Sequence, residues 1–343
     1  MIREYMTDGV AQFNRVQILD YADSKNSEAL RSDGKLYNLE LGKGAAKIKF
    51  PRDVVHPIAN KRNGEFFLWW SKPLINYYHL ILDGLGCLYY YLELRKKNPN
   101  IVLLLNRTPK PGYAGYPPFV SELLSLFDVI WEYTDPSTEY DTVYFGDTLN
   151  QNEAGKRQKP DPRQWDLIDY LVDRCVTRTE VPELSKIYIS RRAHANPVNL
   201  DRKAIIGEDN TIKRGLTNED QVVEILRDLG YTEVFGENYT LAQKIALFSR
   251  MDKYISTAGA GVTNMLWVRD HEVSVGGIHT PGFPFPSNTH SRHICTHRPY
   301  SKANIINYPG KVLFHDPDAG AKDYNNPWYI NNLDAFKNWA KTI

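Results

Sequence analysis

"KIYISRRAHANPVN", residues 186–199, frames the reading of the chain. Ile187 to Ile189 has the character of a buried strand, yet it runs straight into Arg191 and Arg192, which no apolar core accepts unpaired. Downstream come a helix from Thr217 (TNEDQVVEILRDLG), a strand in YTEVFG, a helix from Thr240 (TLAQKIALFSRMD) and a strand KYIST. This β-α-β-α-β order predicts a mostly parallel sheet with helices on both faces, Rossmann-like in the broad sense. Thr240 and Gln243 have the form of a capping box, Thr217 and Asp220 approximate one, and Gly230 stops the first helix.

Working outward, the first half also alternates strands and helices. Residues 35–50 alternate like a hairpin around Gly42 and Gly44, and IVLLLN (101–106) is a short apolar run of the kind a doubly covered strand shows. SELLSLF reads as a helix, DVIWEY and DTVYFG as strands. QNEAGKRQKPDPRQ (151–164), polar and broken by prolines, is the linker candidate, followed by a helix in WDLIDYLVDRCVTR. The predicted class is α/β with a domain over 1–180, a second over 181–330, and a terminal helix within 331–343.

Composition narrows the function classes. Of 343 residues, 42% are hydrophobic and 24% charged, as in a globular chain large enough for two domains. Lys and Arg number 42 against 41 Asp and Glu, so the net charge of +1 argues against holding long nucleic acid by counterion release. Any bound anion is expected to be small and locally held. Cys87, Cys175 and Cys295 are too few and scattered for a disulfide framework. No stretch resembles a signal peptide or a membrane span. The expectation is a cytoplasmic protein, or a soluble enzyme of the secretory pathway with its targeting segment removed.

In an open α/β sheet, ligands bind beyond the carboxyl ends of the strands, where Arg191 and Arg192 emerge. KYIST runs to the same end and enters AGAGVTNMLWV (258–268), whose Gly259 and Gly261 permit close backbone approach before a helical pattern. Helix-start amides beside guanidinium groups make a diphosphate site that needs no metal. A solvated arginine rim is the plain alternative. The glycine pair is no dinucleotide fingerprint, because Asn264 stands where the third glycine belongs and the loop follows the third strand of its half.

A second constellation lies in SKPLINYYHLILDGLGCLYYYLEL (71–94). Ser71 can cap a helix and Pro73 suits its first turn. Along an apolar body, Asn76, His79 and Asp83 fall within an arc of roughly 60°. Asp83, four residues on, can hold the His79 imidazole in one tautomer and leave its other nitrogen to take a proton. The alternatives are a satisfied buried polar cluster, or a metal site shared with His290, His293 or His297, as in an iron-dependent oxygenase. The aromatic residues Trp69, Trp70 and the tyrosines at 89–91 fit either sugar stacking or the core.

Three stretches together resemble glycosyltransferase family 61: "NYYHLILDGLG" its Asn-x-x-His-x-x-x-Asp helix, "YISRR" with "RGLTNED" its Ser-Arg-Arg and Arg-x-x-x-Asn-Glu block, and "AGAGVTNMLW" its His-Gly-Ala-Gly-Leu-Thr-Asn loop. The chain departs from the family at Ala258, where the loop's histidine would stand, and has a longer segment from Ala193 to Lys213. The resemblance implies a GT-B fold: two facing Rossmann-like domains, the second binding the donor nucleotide, and a final helix from Leu333 crossing back to the first. It implies inverting, metal-independent transfer of xylose or N-acetylglucosamine from a UDP-sugar to a glycan or glycoprotein acceptor, with no cofactor, nucleic acid or membrane span. On that basis His79 is the base, Asp83 its orienting partner and Asn76 a supporting residue. Arg191, Arg192, Arg214, Asn218, Glu219, Gly259, Ala260, Gly261, Val262, Thr263 and Asn264 form the donor site. A non-catalytic sugar or nucleotide-sugar binding protein of the same fold is the rival.

Overall fold

The computed structural model describes residues 7–19, 29–33, 35–38, 56–69, 72–107, 115–149, 161–192, 216–257, 259–278, 301–306, 310–312 and 328–343. The chain divides into two compact units, Met1–Leu167 and Ile168–Ile343.

The first unit is built on strands β1 (Val10–Leu19), β2 (Ala29–Ser32), β3 (Lys35–Asn38), β4 (Asn60–Leu68), β5 (Val102–Leu105), β6 (Trp131–Tyr133) and β7 (Thr138–Gly146). They form one sheet in the order β3-β2-β1-β7-β4-β5-β6. β7, β4, β5 and β6 are parallel, whereas β1 joins β7 antiparallel and carries the β2–β3 hairpin. The unit is therefore a mixed sheet: a four-stranded parallel core with an antiparallel extension the sequence reading did not foresee. Of the hairpin expected over 35–50, residues 35–38 are a strand, paired with β2, and the rest lies outside the described residues.

Chain order around the parallel core reverses between β4 and β7: β4, β5 and β6 step one way, and β7 returns to the other side of β4. Such a reversal opens a crevice at the carboxyl ends of the strands. The chain leaving β4 enters it as a 3₁₀ turn, Lys72–Ile75, followed by α1 (Tyr77–His79), a π-turn at Leu80–Gly84, and α2 (Leu85–Lys97). Helices α3 (Pro118–Leu126) and α4 (Pro162–Val176) follow. The linker expected over 151–164 thus ends early: residues 162–164 already belong to α4, because Pro162 takes the first helical position, where its missing N–H costs nothing. The division between units falls within α4, upstream of the expected boundary at 180.

The second unit follows the expected series: β8 (Lys186–Ile189), α5 (Glu219–Asp228), β9 (Thr232–Val234), α6 (Leu241–Phe248) and β10 (Lys253–Thr257), then β11 (Val273–Ile278) and β12 (Ser301–Ile306). All five strands are parallel, in the order β12-β11-β10-β8-β9. This is a doubly wound sheet whose switch point lies between β8 and β10. The Thr240–Gln243 capping box is present in both directions. α5 begins later than expected: Asn218 stands at the cap, and its side chain is committed elsewhere.

A small hairpin, β13 (Gly310–Val312) with β14 (Trp328–Ile330), precedes α7 (Leu333–Ala340). The apolar stripe of α7, Phe336, Trp339 and Ala340, is buried in the second unit with Tyr188, Val222, Val223, Leu226 and Ile255. Phe336 is fully buried, so truncating it to alanine costs ~3–5 kcal/mol. Apolar area decides where this stripe packs within its unit. Among the described residues, no helix is long and apolar enough to cross a membrane.

Candidate active site

The first group sits at the crevice of the first unit. Asn76 does not extend a polar stripe within one helix, as the sequence reading has it. It is the N-cap of α1, its Oδ1 accepting from Tyr78 N at 3.0 Å and His79 N at 3.4 Å. A second helix start after the 3₁₀ turn needs such a cap, because the first amides of a helix have no carbonyl to meet.

His79 and Asp83 do pair. His79 Nδ1 lies 2.7 Å from Asp83 Oδ2, with the imidazole 48% exposed and the carboxylate 2% exposed. The carboxylate side of the pair is thus fixed inside the protein, while the ring reaches the surface.

Between them the backbone is not α-helical. Leu85 N bonds to Leu80 O, the i→i−5 pattern of a π-turn. Leu85 N is thereby drawn away from Ile81 O, and two side chains donate to carbonyls of the turn. Gln164 Nε2, on α4 and fully buried, donates to Ile81 O at 2.8 Å and Leu82 O at 3.1 Å; Trp69 Nε1 donates to Gly84 O at 2.9 Å. Gly86 is required here, since a Cβ would lie 2.8 Å from the backbone Leu149 N; at Gly84 one would lie 2.8 Å from the side-chain end of Leu74. Single π-turns inside helices mark functional sites with some regularity.

Gln164 escaped the sequence reading as a site residue, and the bond Trp69 makes to the turn was not foreseen. Gln164 was hidden in the supposed linker. Trp69, Tyr90 and Tyr91, candidates for sugar stacking, are core residues, and Trp70 lies outside the described residues.

The second group lies in the other unit, at the β8/β10 switch point. Ser190 and Arg191 leave β8 there, and Gly259 follows β10. The two elements meet: a Cβ at Gly259 would stand 3.0 Å from Arg191 Nη1. Glycine is therefore what lets the guanidinium lie on the loop backbone. The loop turns into a 3₁₀ helix, Ala260–Trp267, rather than an α-helix. Tyr254 Oη pins it by donating to Gly261 O at 2.6 Å. Gly259, Ala260 and Gly261 are half-buried at its mouth, whereas Val262, Thr263 and Asn264 are buried beneath it, and Val262 N already donates to Gly259 O.

Three residues expected at the donor site have partners within the second unit. Glu219 is 3% exposed, and its Oε1 accepts from Tyr188 Oη at 2.7 Å, Ser190 Oγ at 2.9 Å and Arg191 N at 3.0 Å. Burial, with the nearby Glu219 carboxylate, holds the Tyr188 phenol well above its ordinary pKa. Asn218 clasps β14, donating to Ile330 O and accepting from Ile330 N, both at 3.0 Å. Arg192 forks onto Glu233, with Nε to Oε1 at 2.8 Å and Nη2 to Oε2, and its Nη1 pairs with Asp220. Two carboxylates already answer its charge, so of the arginine pair only Arg191 is aimed at the loop.

Arg214, Ala258, the segment 193–215 and the histidines at 290, 293 and 297 lie outside the described residues. Among the described residues, no group of three or more His, Cys, Asp or Glu side chains is placed to hold a metal ion.

No curated protein matches the chain significantly. The family model described as "Glycosyltransferase 61" matches residues 77–275, more than half of the chain, and takes in the His79–Asp83 pair, the Arg191 strand end and the Gly259 loop. The chain belongs to glycosyltransferase family 61 and is a glycosyltransferase enzyme.

Proposed function

We propose that this glycosyltransferase moves a sugar, xylose or N-acetylglucosamine, from a UDP-linked donor to a hydroxyl of a glycan or glycoprotein, with inversion and without a metal ion. The two units are read as the two halves of a GT-B enzyme, with the donor nucleotide on the second. The observation that carries the reading is the His79–Asp83 pair, a buried carboxylate holding an exposed imidazole through Nδ1 at 2.7 Å.

With Nδ1 engaged, Nε2 is the nitrogen that takes the acceptor's hydroxyl proton. The acceptor oxygen forms its bond to the anomeric carbon from the face opposite the diphosphate. The anomeric carbon–oxygen bond breaks, and its electron pair leaves with UDP. Asp83 stabilises the imidazolium that results. On the donor side, Arg191 and the loop opening at Gly259–Gly261 supply positive potential where charge grows on the leaving diphosphate. Xylose and N-acetylglucosamine come from the family resemblance alone.

The test is incubation with a panel of UDP-, GDP- and dTDP-sugars in EDTA, with donor hydrolysis followed by mass spectrometry in wild type and His79→Ala. Hydrolysis of a UDP-sugar that survives chelation and falls ~10²–10⁴-fold in the variant is expected. Loss of turnover in EDTA with recovery on adding Mn²⁺ overturns the metal-free reading, and a folded His79→Ala protein with near-native turnover overturns the base.

A further inference from the structure

We infer that the acceptor is recognised as an oligosaccharide, whose residues beyond the reacting one stack on an aromatic row running from the His79 turn to the edge of the first sheet; this rests on the proposed transfer. β6 is the edge strand of that sheet and ends at Tyr133. Tyr133 is 42% exposed, with its ring nearly parallel to that of Tyr116, planes 13° apart and centroids 6.4 Å apart. Three residues after Tyr116, Phe119 opens α3 and meets Tyr77 edge-on at 5.8 Å. Tyr77 in turn begins α1, the same turn that presents His79. The ring pairs Tyr77–Phe119 and Tyr116–Tyr133, partly exposed and joined by the three-residue step from Tyr116 to Phe119, thus follow β4, β5 and β6 within one unit.

Two features make the row a built surface rather than a scatter of aromatics. Tyr116 Oη donates to Asn106 O at 2.9 Å, and the fully buried Asn106 also accepts from Thr134 Oγ1 at 3.1 Å, which ties the ring to the ends of β5 and β6. Trp131 packs edge-on against Tyr133 at 5.3 Å. Rings so held lose little freedom when a ligand lands on them. The chemistry favours a sugar over a peptide. A pyranose offers an apolar C–H face to a flat ring and hydroxyls around its rim, which suits tyrosines that are apolar in body and polar at the tip. An extended peptide would draw on strand hydrogen bonds, and β6 offers an edge of three residues.

The experiment compares wild type, Tyr133→Ala, Tyr133→Leu and Tyr133→Phe on an array of plant and animal oligosaccharides, their monosaccharides, and acidic and neutral peptides. Thermal melts establish that each protein is folded. Wild type should retain certain oligosaccharides in preference to the corresponding monosaccharides. Tyr133→Ala and Tyr133→Leu should weaken that retention on the order of tenfold, the scale of an aromatic anchor, and Tyr133→Phe should restore it. Equal retention of mono- and oligosaccharides, retention of peptides alone, no retention, or a folded Tyr133→Ala protein that binds like wild type overturns the inference. UDP-sugar hydrolysis by wild type, measured on the same preparation, keeps the two readings apart: its absence beside ring-dependent glycan binding refutes transfer and leaves the aromatic row standing.

Discussion

Gln164 is the residue through which packing and chemistry of the first unit are joined, and replacing it by leucine tests both. Its amide carries two hydrogen bonds to backbone carbonyls of the π-turn, in a place with no access to water. Leucine fills similar space and donates nothing. Each carbonyl left without a donor costs ~1–3 kcal/mol, so the pair should cost roughly 2–6 kcal/mol if the turn keeps its shape. The turn has one escape: Leu85 N can return from Leu80 O to Ile81 O, the regular α-helical pattern, which recovers part of the loss. That change removes the inserted residue and turns Asp83 relative to His79. Gln164→Leu should therefore be less stable in calorimetry, slower in transfer, or both, and the pH dependence of kcat should shift when the pair is misaligned. Gln164→Glu adds a sign. A carboxylate forced against two carbonyl oxygens has its folded pKa raised above the unfolded value of about 4.3, so its destabilisation should appear as pH rises through that value and be least below it. A Gln164→Leu protein with wild-type melting temperature, kcat and pH profile refutes the reasoning.

Asp83→Asn should lower kcat on the order of 10²-fold or more at saturating donor, because the imidazolium loses its counter-charge, with UDP affinity in calorimetry unchanged; near-native kcat excludes the orienting role. Arg191→Ala should weaken UDP by ~10- to 100-fold, as for a lost hydrogen bond to a charged group, whereas Arg192→Ala should leave UDP affinity nearly unchanged and cost at most about 1 kcal/mol of stability, its partly exposed ion pairs being screened; equal losses of affinity in both variants exclude the division of labour. His271 is held by Met251 O at 2.9 Å and by Asp270 at 3.0 Å, and although burial opposes its charge these partners raise its pKa overall. Its contribution is then full below the unfolded pKa of about 6.5 and lost as pH rises through the folded value, so the melting-temperature gap between wild type and His271→Gln should narrow above neutrality; a gap that widens with pH is the contrary result.

What the sequence disclosed, and what it hid, follows from the range of the interactions. The second sheet was legible because its strands are short apolar runs and one of its helices carries a local cap: Thr240 and Gln243 lie three apart, within reach of any local reading. The His79–Asp83 pair was legible for the same reason, since four residues on a helix bring side chains together. The π-turn between them was not. It depends on Trp69 Nε1 and on Gln164 Nε2, the latter more than 80 residues away, and nothing in the local pattern of LILDG announces a missing α-helical bond. The antiparallel extension was missed because β1 pairs with β7 across more than 100 residues. The apolar stripe of the last helix says only that it must be buried; the residues it meets, Tyr188 and Val222 among them, stand more than 100 residues away.

The two strand-end arginines are held in different ways. Two adjacent guanidiniums at the end of a buried strand must be answered by something, and the first turn of α5 supplies two acids within reach. Asp220 takes Arg192, and Glu219 takes the backbone of Arg191 together with the hydroxyls of Tyr188 and Ser190. Glu233, on the neighbouring strand, completes the fork on Arg192. Arg192 is thereby neutral in effect and fixed. Arg191 donates its backbone amide to Glu219, so that carboxylate sets where the residue stands. The guanidinium lies over Gly259, where a Cβ on the loop would crowd it. Glu219 and the glycine thus act from opposite sides on one side chain: the acid fixes where Arg191 stands, and the missing Cβ lets its charge lie along the loop backbone.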